Sequence, residues 1–368
     1  MIPHISIVAP CFRFGSLGAR SNCASSSGRI SLYSRQRIVS ARSGFTVVEL
    51  IVSLGVISLL ASLLLPAVQS ARESSRRVEC TSHMKQIMQA TEAFAAGRQK
   101  YPKYSTGDFS SQGGMEKNVC PFVEILPFIG QGSAYEKFQP QIATFDGLSI
   151  SAAGGANAEL MYLTIPLYQC PSDRSQMGSC NYRANLGTGA DYYTSPPTGP
   201  FSECFDPNNA NGAFVLYRQI SPKDFRDGLS NTVMYSERVI GDGNSDEFDP
   251  WRDYSPVSDA WPHCTGEGLR ATCRGIAGIA PVHASYLGFT WLYATKAHTA
   301  YDHILSPNSL IPDCAHMGQA GINNSAITAR SQHPGIVIVA MGDGSVRPVS
   351  EHIDLHVWQS MGSRSGLD

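Results

Sequence analysis

The first feature of the chain is an uncharged apolar run at residues 50–71, which is 22 residues long and rich in leucine, isoleucine and valine. At about 1.5 Å per residue, a helix of this length crosses a hydrocarbon core roughly 30 Å thick. A buried core helix is the alternative, but polar positions would normally interrupt such a helix at each turn. The pattern therefore predicts a membrane-spanning helix.

A second helical pattern follows directly. Beyond Arg77, five residues recur at alternating spacings of four and three: Cys80, Met84, Ile87, Thr91 and Phe94. This spacing forms one stripe of an amphipathic helix. We expect one long helix over residues 45–96, with its first half in lipid and its second half packed on a domain. Pro66 should bend this helix, because proline removes one helical hydrogen bond.

Residues 101–368 read as a secreted globular domain rich in β-structure. Short apolar or β-branched runs alternate there with glycine and proline turn signals, which is typical of antiparallel strands joined by long loops. The predicted strands are 213–218, 232–239, 289–293, 335–341 and 345–349, and the predicted short helices are 122–126 and 134–138. The order of elements predicts an α+β fold in which the helix stripe covers one face of an antiparallel sheet.

Charge is distributed unevenly along the chain. Residues 1–44 contain six arginines and no lysine, aspartate or glutamate, which leaves 22 basic and 30 acidic residues beyond them and a formal charge of −8. A mildly acidic domain has no broad attraction for nucleic acid, so no nucleic-acid partner is expected. Arginines flank the apolar run on both sides, so the positive-inside bias decides its orientation only weakly.

Ten cysteines are present, and eight of them lie beyond residue 44. An even set suits an oxidising compartment, and the irregular gaps without paired Cys-x-x-Cys spacing favour disulfides over a structural zinc site. Cys80 lies on the helix stripe, and Cys170 begins a Cys-Pro-Ser-Asp segment. We predict that these two pair and attach the helix to the domain. Cys264 and Cys273 are close enough in sequence to form a local loop.

A short motif precedes the apolar run. Gly44 is followed by Phe45, and Glu49 is the fifth residue after the glycine. This arrangement resembles the prepilin cleavage and methylation motif of type IV pilins and type II secretion pseudopilins. The resemblance implies that a prepilin peptidase/methyltransferase cuts after Gly44, removes a basic leader of residues 1–44 and methylates the amine of Phe45. A leader of 44 residues is long for this class.

The same resemblance gives Glu49 a role at the edge of the lipid-embedded run. A carboxylate there is costly unless it meets a cation, and in these families the partner is the terminal amine of a neighbouring subunit. Alternatively, Glu49 is a favourable charge in the first helical turn, facing interfacial water. The predicted divisions are the leader, a transmembrane half at 45–71, an amphipathic half at 72–100 and the domain at 101–368.

A broader resemblance covers nearly the whole remaining chain. Successive segments, among them one with Cys170 and one with Glu237, are similar to those of domain-of-unknown-function family 1559. That bacterial family joins a prepilin-type N-terminus to a pseudopilin-like domain and often ends in a His-x9-Asp-Gly signature. Here the signature is His333, nine residues, and then Asp343 and Gly344.

His333 and Asp343 admit two interpretations. A histidine and a carboxylate can share a proton in catalysis. The pattern between them favours structure, because residues 336–340 read as a buried strand and residues 342–344 as a tight turn whose aspartate bonds its own backbone. We therefore expect a hairpin and no catalytic residues. Glu237 is either a buried partner or an outward-facing residue at the end of the strand 232–239.

An acidic run places oxygen ligands at alternate positions, as calcium loops do. These residues are Asp242, Asn244, Asp246 and Asp249. The run departs from the EF-hand pattern, because Glu247 stands where the tight-turn glycine belongs. A calcium site and a solvated acidic loop both remain open, and no other cofactor is expected.

Three functions fit the sequence. The first is a pilin- or pseudopilin-like structural subunit of a type II secretion or type IV pilus-like assembly, joined to other pilin-like subunits through its apolar helix. The second is a monomeric membrane-tethered binding module whose region 185–330 contacts a glycan or a protein. The third is a hydrolase that uses His333 with Asp343. We favour the first, a single-pass protein of the inner membrane with its C-terminal domain outside the cytoplasm.

Overall fold

The computed structural model describes residues 44–104, 119–138, 157–175, 178–189, 211–215, 218–244, 246–257, 265–276, 283–316 and 325–366. Most of the predicted leader lies outside these residues. The chain forms two compact units, residues 1–60 and 61–368. The described part of the first unit begins at Gly44.

One helix, α1, runs from Val47 to Arg98. It begins in a capping box, because the Thr46 amide donates to Glu49 Oε2 (2.9 Å) and the Glu49 amide donates to Thr46 Oγ1 (3.3 Å). The Ser58 hydroxyl donates to the Leu54 carbonyl (2.8 Å), so this side chain needs no water in an apolar setting. The helix continues through Pro66, and the predicted bend stays a prediction.

The side chains of α1 change character along its length. Large apolar side chains are exposed from Val47 to Val68, whereas all five residues of the predicted stripe, which begins at Cys80, are buried. Among the described residues, α1 is the one helix that is long and apolar enough to cross a membrane, and none of its most apolar 18 residues is buried. These features are compatible with a single-pass membrane protein.

The remaining elements are short. The other α-helices are Pro121–Glu124 (α2), Gly132–Lys137 (α3), Ala158–Met161 (α4), Gly266–Gly275 (α5) and Leu355–Gly362 (α6). The 3-10 helices are Leu126–Ile129, Pro166–Tyr168 and Pro222–Asp224. The strands are Tyr182–Asn185 (β1), Val233–Glu237 (β2), Tyr254–Val257 (β3), Ala300–Tyr301 (β4), Asp313–His316 (β5), Ser325–Ala326 (β6), Ile336–Met341 (β7) and Val346–Ser350 (β8).

The strands form two sheets. The first has the order β4-β1-β2-β7-β8, and the second has the order β3-β5-β6. The predicted α+β fold with a long N-terminal helix is confirmed. Four of the strand pairs are antiparallel, while β1 pairs with β4 and β3 with β5 in parallel. Long connections between these strands, rather than hairpins, bring them side by side in the same direction.

Two predicted strands differ in the structure. Residues 289–293 form no strand; they are apolar because this irregular segment enters the core, where the indole of Trp291 donates to the Leu163 carbonyl (2.7 Å). Of the strand predicted at 213–218, residues 216 and 217 lie outside the described residues, and the described ones form an isolated bridge between Val215 and Arg218. The strands predicted at 232–239, 335–341 and 345–349 are confirmed within a few residues.

Alternate residues of β7 face two different cores. Ile338 and Ala340 pack in the core that also contains Cys80, Met84 and Ile87 of the α1 stripe. Val337 and Val339 face the opposite core, which contains Trp358 of α6. A strand presents successive side chains to opposite faces, so β7 is apolar throughout because both of its faces are covered.

The second sheet is held by a fully buried ion cluster. Asp313 of β5 accepts from the guanidinium groups of Arg238 (2.9 Å) and Arg330 (3.1 Å). Arg238 directly follows β2, so this carboxylate connects the second sheet to the first. Buried charges are tolerated only when they are paired and hydrogen-bonded in this way.

Candidate functional site

Four side chains from separate parts of the chain meet beside α1, and we call them the His333 cluster. Their potential ligand atoms all lie within 4.8 Å of one another, and the residues are Cys80, Cys170, Glu237 and His333. Cys80 comes from α1, Glu237 ends β2, and the His333 imidazole, 1% exposed, immediately precedes β7. The cluster therefore joins the helix to two neighbouring strands of the first sheet.

The two nitrogens of His333 face different carboxylates. Nδ1 lies 2.7 Å from Glu73 Oε1 on α1, while Nε2 lies 3.4 Å from Glu237 Oε1 and 3.6 Å from Cys170 Sγ. Glu237 Oε2 accepts a hydrogen bond from the Ile338 amide (3.0 Å), which fixes this carboxylate against β7. Glu237 is thus the buried partner that the sequence left undecided.

Besides its contact with His333, the Glu73 carboxylate accepts three hydrogen bonds. The guanidinium of Arg76 donates to Glu73 Oε2 through Nε (2.9 Å) and Nη2 (2.6 Å), and the Ser172 hydroxyl donates to Oε1 (3.1 Å). Ser172 lies two residues after Cys170. The carboxylate therefore bridges His333, the helix itself and the segment that carries one of the cysteines.

The electrostatics favour the charged forms of Glu73 and His333. Burial acts to raise the pKa of Glu73, but the hydrogen bonds from His333, Arg76 and Ser172 outweigh it, and the pKa is lowered from 4.5. Burial acts to lower the pKa of His333, but Glu237 and Glu73 outweigh it, and the pKa is raised from 6.5. An imidazolium between two carboxylates is the natural state of such a site.

The predicted pairing of Cys80 with Cys170 is present in the structure. This disulfide attaches α1 covalently to the segment after the 3-10 helix at 166–168. The predicted loop between Cys264 and Cys273 is wrong, because Cys273 of α5 bonds Cys314 of β5. Both sulfurs of that bond lie in the small core between α5 and the second sheet, where proximity in space outweighs proximity in sequence.

Cys120 and Cys180 are buried thiols. Among the described residues, these two cysteines form no disulfide. Burial raises the pKa of each to about 12. Because the thiolate is the reactive form, both residues are chemically inert in the folded chain.

The other end of the signature also touches α1. Asp343 Oδ1 accepts from the Ser345 amide (2.9 Å) and hydroxyl (2.6 Å), as expected for an aspartate in a tight turn. Gly344 has a φ of +82°, and a Cβ there would lie 2.6 Å from Oε1 of Glu92 on α1. This turn therefore requires glycine, both for its backbone and for the approach of the helix.

His333 and Asp343 do not form a pair. Strand β7 separates them, and its six residues span about 20 Å. His333 contacts Glu73, and Gly344 contacts Glu92, roughly 28 Å further along α1. The two ends of the signature thus hold the same helix at two points.

The prepilin motif lies at the start of the described residues. Phe45 is 84% exposed, and Glu49 bonds only its own helix start, through Thr46. Gly44 has open space around its Cα. Cleavage and methylation at these positions stay predictions.

The acidic run makes local turns. Asp242 Oδ1 accepts from the Asn244 amide (2.8 Å), and Asn244 Oδ1 accepts from the Asp246 amide (2.9 Å). Asp249 Oδ1 accepts from the Trp251 amide (2.8 Å). Each side chain thus bonds the backbone two residues on, and calcium binding stays a prediction.

Glu73 and Ser172 are the residues of this site that sequence reasoning missed. Glu73 lies seven residues before Cys80, which is two helical turns, so extending the buried stripe backwards would have found it. A glutamate inside a stripe of apolar residues signals a partner across the interface. The position of Ser172, two residues after Cys170, gives no such signal.

We expect replacement of His333 by alanine to destabilise the domain by about 3 kcal/mol, because it leaves Glu237 buried without its cation. Hydrogen exchange should increase most in the amides of residues 73–80. His352→Ala is the matched control, since that imidazole is exposed and follows the same hairpin. An unchanged unfolding midpoint in His333→Ala would contradict the docking role.

Glu92 gives a pH-dependent prediction. Burial and the nearby Asp343 raise the pKa of Glu92 above 4.5, so its favourable contribution is full below that pH and is lost as pH rises through the raised pKa. Glu92→Gln should therefore raise the free energy of unfolding at neutral pH, by no more than about 0.5 kcal/mol because solvent screens the site.

The gain in Glu92→Gln should vanish in acid, where the carboxyl is already neutral. Glu79→Gln, an exposed position on the same helix, controls for helix propensity. Denaturant titrations at neutral and acidic pH measure the difference. A variant that loses stability at neutral pH would show that Glu92 makes a favourable charged contact instead.

One family model matches most of the chain. The model of family DUF1559, described as a protein of unknown function, matches residues 69–356. The match includes Glu73, the His333 cluster and the signature turn. No curated protein and no solved structure is significantly similar to the chain. Because the match covers well over half of the sequence, the chain belongs to family DUF1559.

Proposed function

We propose that the chain is a pilin- or pseudopilin-like structural subunit of a type II secretion or type IV pilus-like assembly. A prepilin peptidase cuts it after Gly44 and methylates Phe45, and α1 then anchors it in the inner membrane. The domain lies outside the cytoplasm. Other pilin-like subunits contact it through the apolar half of α1.

The observation that carries this proposal is the contrast between the two halves of one continuous helix. Residues from Val47 to Val68 expose their large apolar side chains, while the stripe from Cys80 is buried in the domain. A helix needs no such exposed apolar half to stabilise its own domain. Lipid, or the same helix of another subunit, is the environment that suits it.

The disulfides support the proposed side of the membrane. Cys80–Cys170 and Cys273–Cys314 both lie beyond α1's apolar half. Disulfides persist in oxidising compartments and are rare in the cytosol, where thiols are kept reduced. A domain that folds outside the cytoplasm fits this chemistry.

The proposal includes no enzymatic role for the signature. Both nitrogens of His333 face carboxylates that hold the helix, and Asp343 bonds its own turn. While the disulfide is closed, both nitrogens lie against protein groups, and neither is presented to a bound substrate for general base catalysis. Its contribution is to hold α1 against the sheet.

Processing is tested on protein extracted from membranes. Intact-mass measurement and N-terminal sequencing should give a chain that begins at Phe45 and carries one methyl group. Gly44→Leu should keep the leader, because a side chain there obstructs the peptidase. Gly44→Ser introduces a smaller side chain and should reduce cleavage less than Gly44→Leu does. Recovery of the encoded N-terminus from wild-type membranes would remove the proposal.

A substitution at Glu49 distinguishes a role of this carboxylate in assembly from a role in capping its own helix. Glu49→Gln keeps an amide oxygen for the Thr46 bonds but removes the charge, and glutamine serves in a capping box. We expect normal cleavage but about tenfold less crosslinked oligomer, which corresponds to a loss of about 1.4 kcal/mol in association. Glu79→Gln should assemble normally.

Two outcomes of that experiment bear on the alternatives. Normal oligomers in Glu49→Gln would mean that the carboxylate only caps its helix. A wild-type chain that is cleaved yet stays monomeric in its own membrane would favour the membrane-tethered binding module. Crosslinking in intact cells, before detergent extraction, distinguishes these cases.

A further inference from the structure

The His333 cluster would have a different set of ligand atoms if its disulfide were reduced. Reduction of the bond between Cys80 and Cys170 would leave two thiols beside an imidazole and a carboxylate. We propose that the reduced chain binds one zinc ion at the His333 cluster, and that zinc and the disulfide are mutually exclusive ways of fastening α1 to the domain.

The distances suit tetrahedral zinc. With zinc–sulfur bonds of about 2.3 Å and zinc–nitrogen or zinc–oxygen bonds of about 2.0–2.2 Å, neighbouring ligand atoms lie about 3.3–3.8 Å apart. His333 Nε2 lies 3.6 Å from Cys170 Sγ and 3.4 Å from Glu237 Oε1. Once the sulfur–sulfur bond is broken, the two sulfurs must separate for the ion to enter, and all four ligand atoms already lie within 4.8 Å of one another.

Each ligand offers one suitable atom to the centre. The Nδ1 of His333 is held by Glu73, which leaves Nε2 facing the sulfurs. Glu237 uses Oε2 to accept from the Ile338 amide, while its buried Oε1 accepts no well-aligned hydrogen bond among the described residues and lies 3.4 Å from His333 Nε2. Glu73, His333 and the ion would form the carboxylate–histidine–metal arrangement that orients ligands in zinc sites.

The backbone around the ligands is already fixed. The Cys170 amide donates to Asn181 Oδ1 (2.9 Å), and the Cys80 carbonyl accepts from the hydroxyl of Tyr182 on β1 (3.3 Å). Glu237 lies within the first sheet. The four ligands therefore converge on a rigid framework, which is what a metal site requires.

The redox step needs a thiol reagent, and a dithiol is the class that we assign. It gives two electrons and two protons to the sulfur–sulfur bond of Cys80 and Cys170, which breaks into two thiols, while the reagent closes into its own disulfide. Zinc binding then releases both thiol protons and the Nε2 proton of the His333 imidazolium, so the imidazole binds in its neutral form. Soft thiolates favour zinc over calcium or magnesium.

The second disulfide provides an internal comparison. Cys273 and Cys314 lie among apolar side chains, including Leu269 and Ile304. Within the described ranges, the His333 cluster is the only group of three or more cysteine, histidine or acidic residues placed to hold an ion. Reduction of the second bond should therefore create two thiols but no zinc site.

The test uses the full chain in detergent, reduced with a dithiol reagent and freed of it under anaerobic conditions. Zinc is titrated against a chromophoric chelator, and cobalt is titrated as a spectroscopic probe of thiolate ligands. The reduced chain should bind one zinc ion and show a tetrahedral thiolate–cobalt spectrum. The oxidised chain should bind none at this site.

Variants locate the ion. Cys80→Ser should abolish binding, and Glu237→Gln should weaken it. Glu73→Gln, which changes only the residue behind the imidazole, should weaken it by about 10- to 100-fold. Replacing both Cys273 and Cys314 by serine should leave one zinc ion per chain.

Near-ultraviolet circular dichroism establishes that each variant is folded, and Glu73→Gln serves where Cys80→Ser fails to fold. Zinc should also raise the melting temperature of the reduced wild-type chain but not that of Glu237→Gln. A folded, reduced chain that binds no zinc would overturn the proposal. Equal binding by wild type and Cys80→Ser would overturn it as well, because the ion would then lie elsewhere.

Discussion

The fastening of α1 to the first sheet is the constraint on which the rest of the domain depends. One carboxylate, Glu73, projects from the helix at the edge of its buried stripe and meets His333, whose imidazole also faces Glu237 of β2. A disulfide lies beside this ion chain, and Glu92 closes the contact at the far end of β7. The apolar stripe contributes the buried apolar area of this interface, while these polar contacts fix the position of α1 along the first sheet.

Much of this arrangement could be predicted from the sequence, because it follows periodic or local rules. The spacing of the stripe from Cys80 to Phe94 gives the buried face of α1, and the hairpin of β7 and β8 follows from an apolar run and a turn. The pairing of Cys80 with Cys170 was also accessible. The stripe and the hairpin depend on neighbours in the chain or on a simple period, whereas the disulfide joins residues 90 apart and was inferred from the position of Cys80 on the stripe.

The features that could not be predicted depend on long-range partners. Strand β1 is buried yet contains Arg183, whose guanidinium donates to the Lys296 (3.1 Å) and Ala297 (3.0 Å) carbonyls. Because of this charged residue, the hydrophobic pattern did not predict β1 as a strand. Strand β5 was missed for the same reason, because it begins with the charged residue Asp313. The partner of Cys273 was equally hidden, because only the folded β5 brings Cys314 beside α5.

The position of the Cys80–Cys170 bond has a mechanical consequence. A force that pulls on the N-terminal end of α1 travels along the helix and reaches Cys80 before the contacts at Thr91 and Phe94. The covalent link carries that load into the segment of Cys170, so the non-covalent contacts further along α1 are shielded from it even if the Glu73 contacts break first. If the protein is anchored and under tension, its helix would thus stretch or tilt before it detaches from the domain.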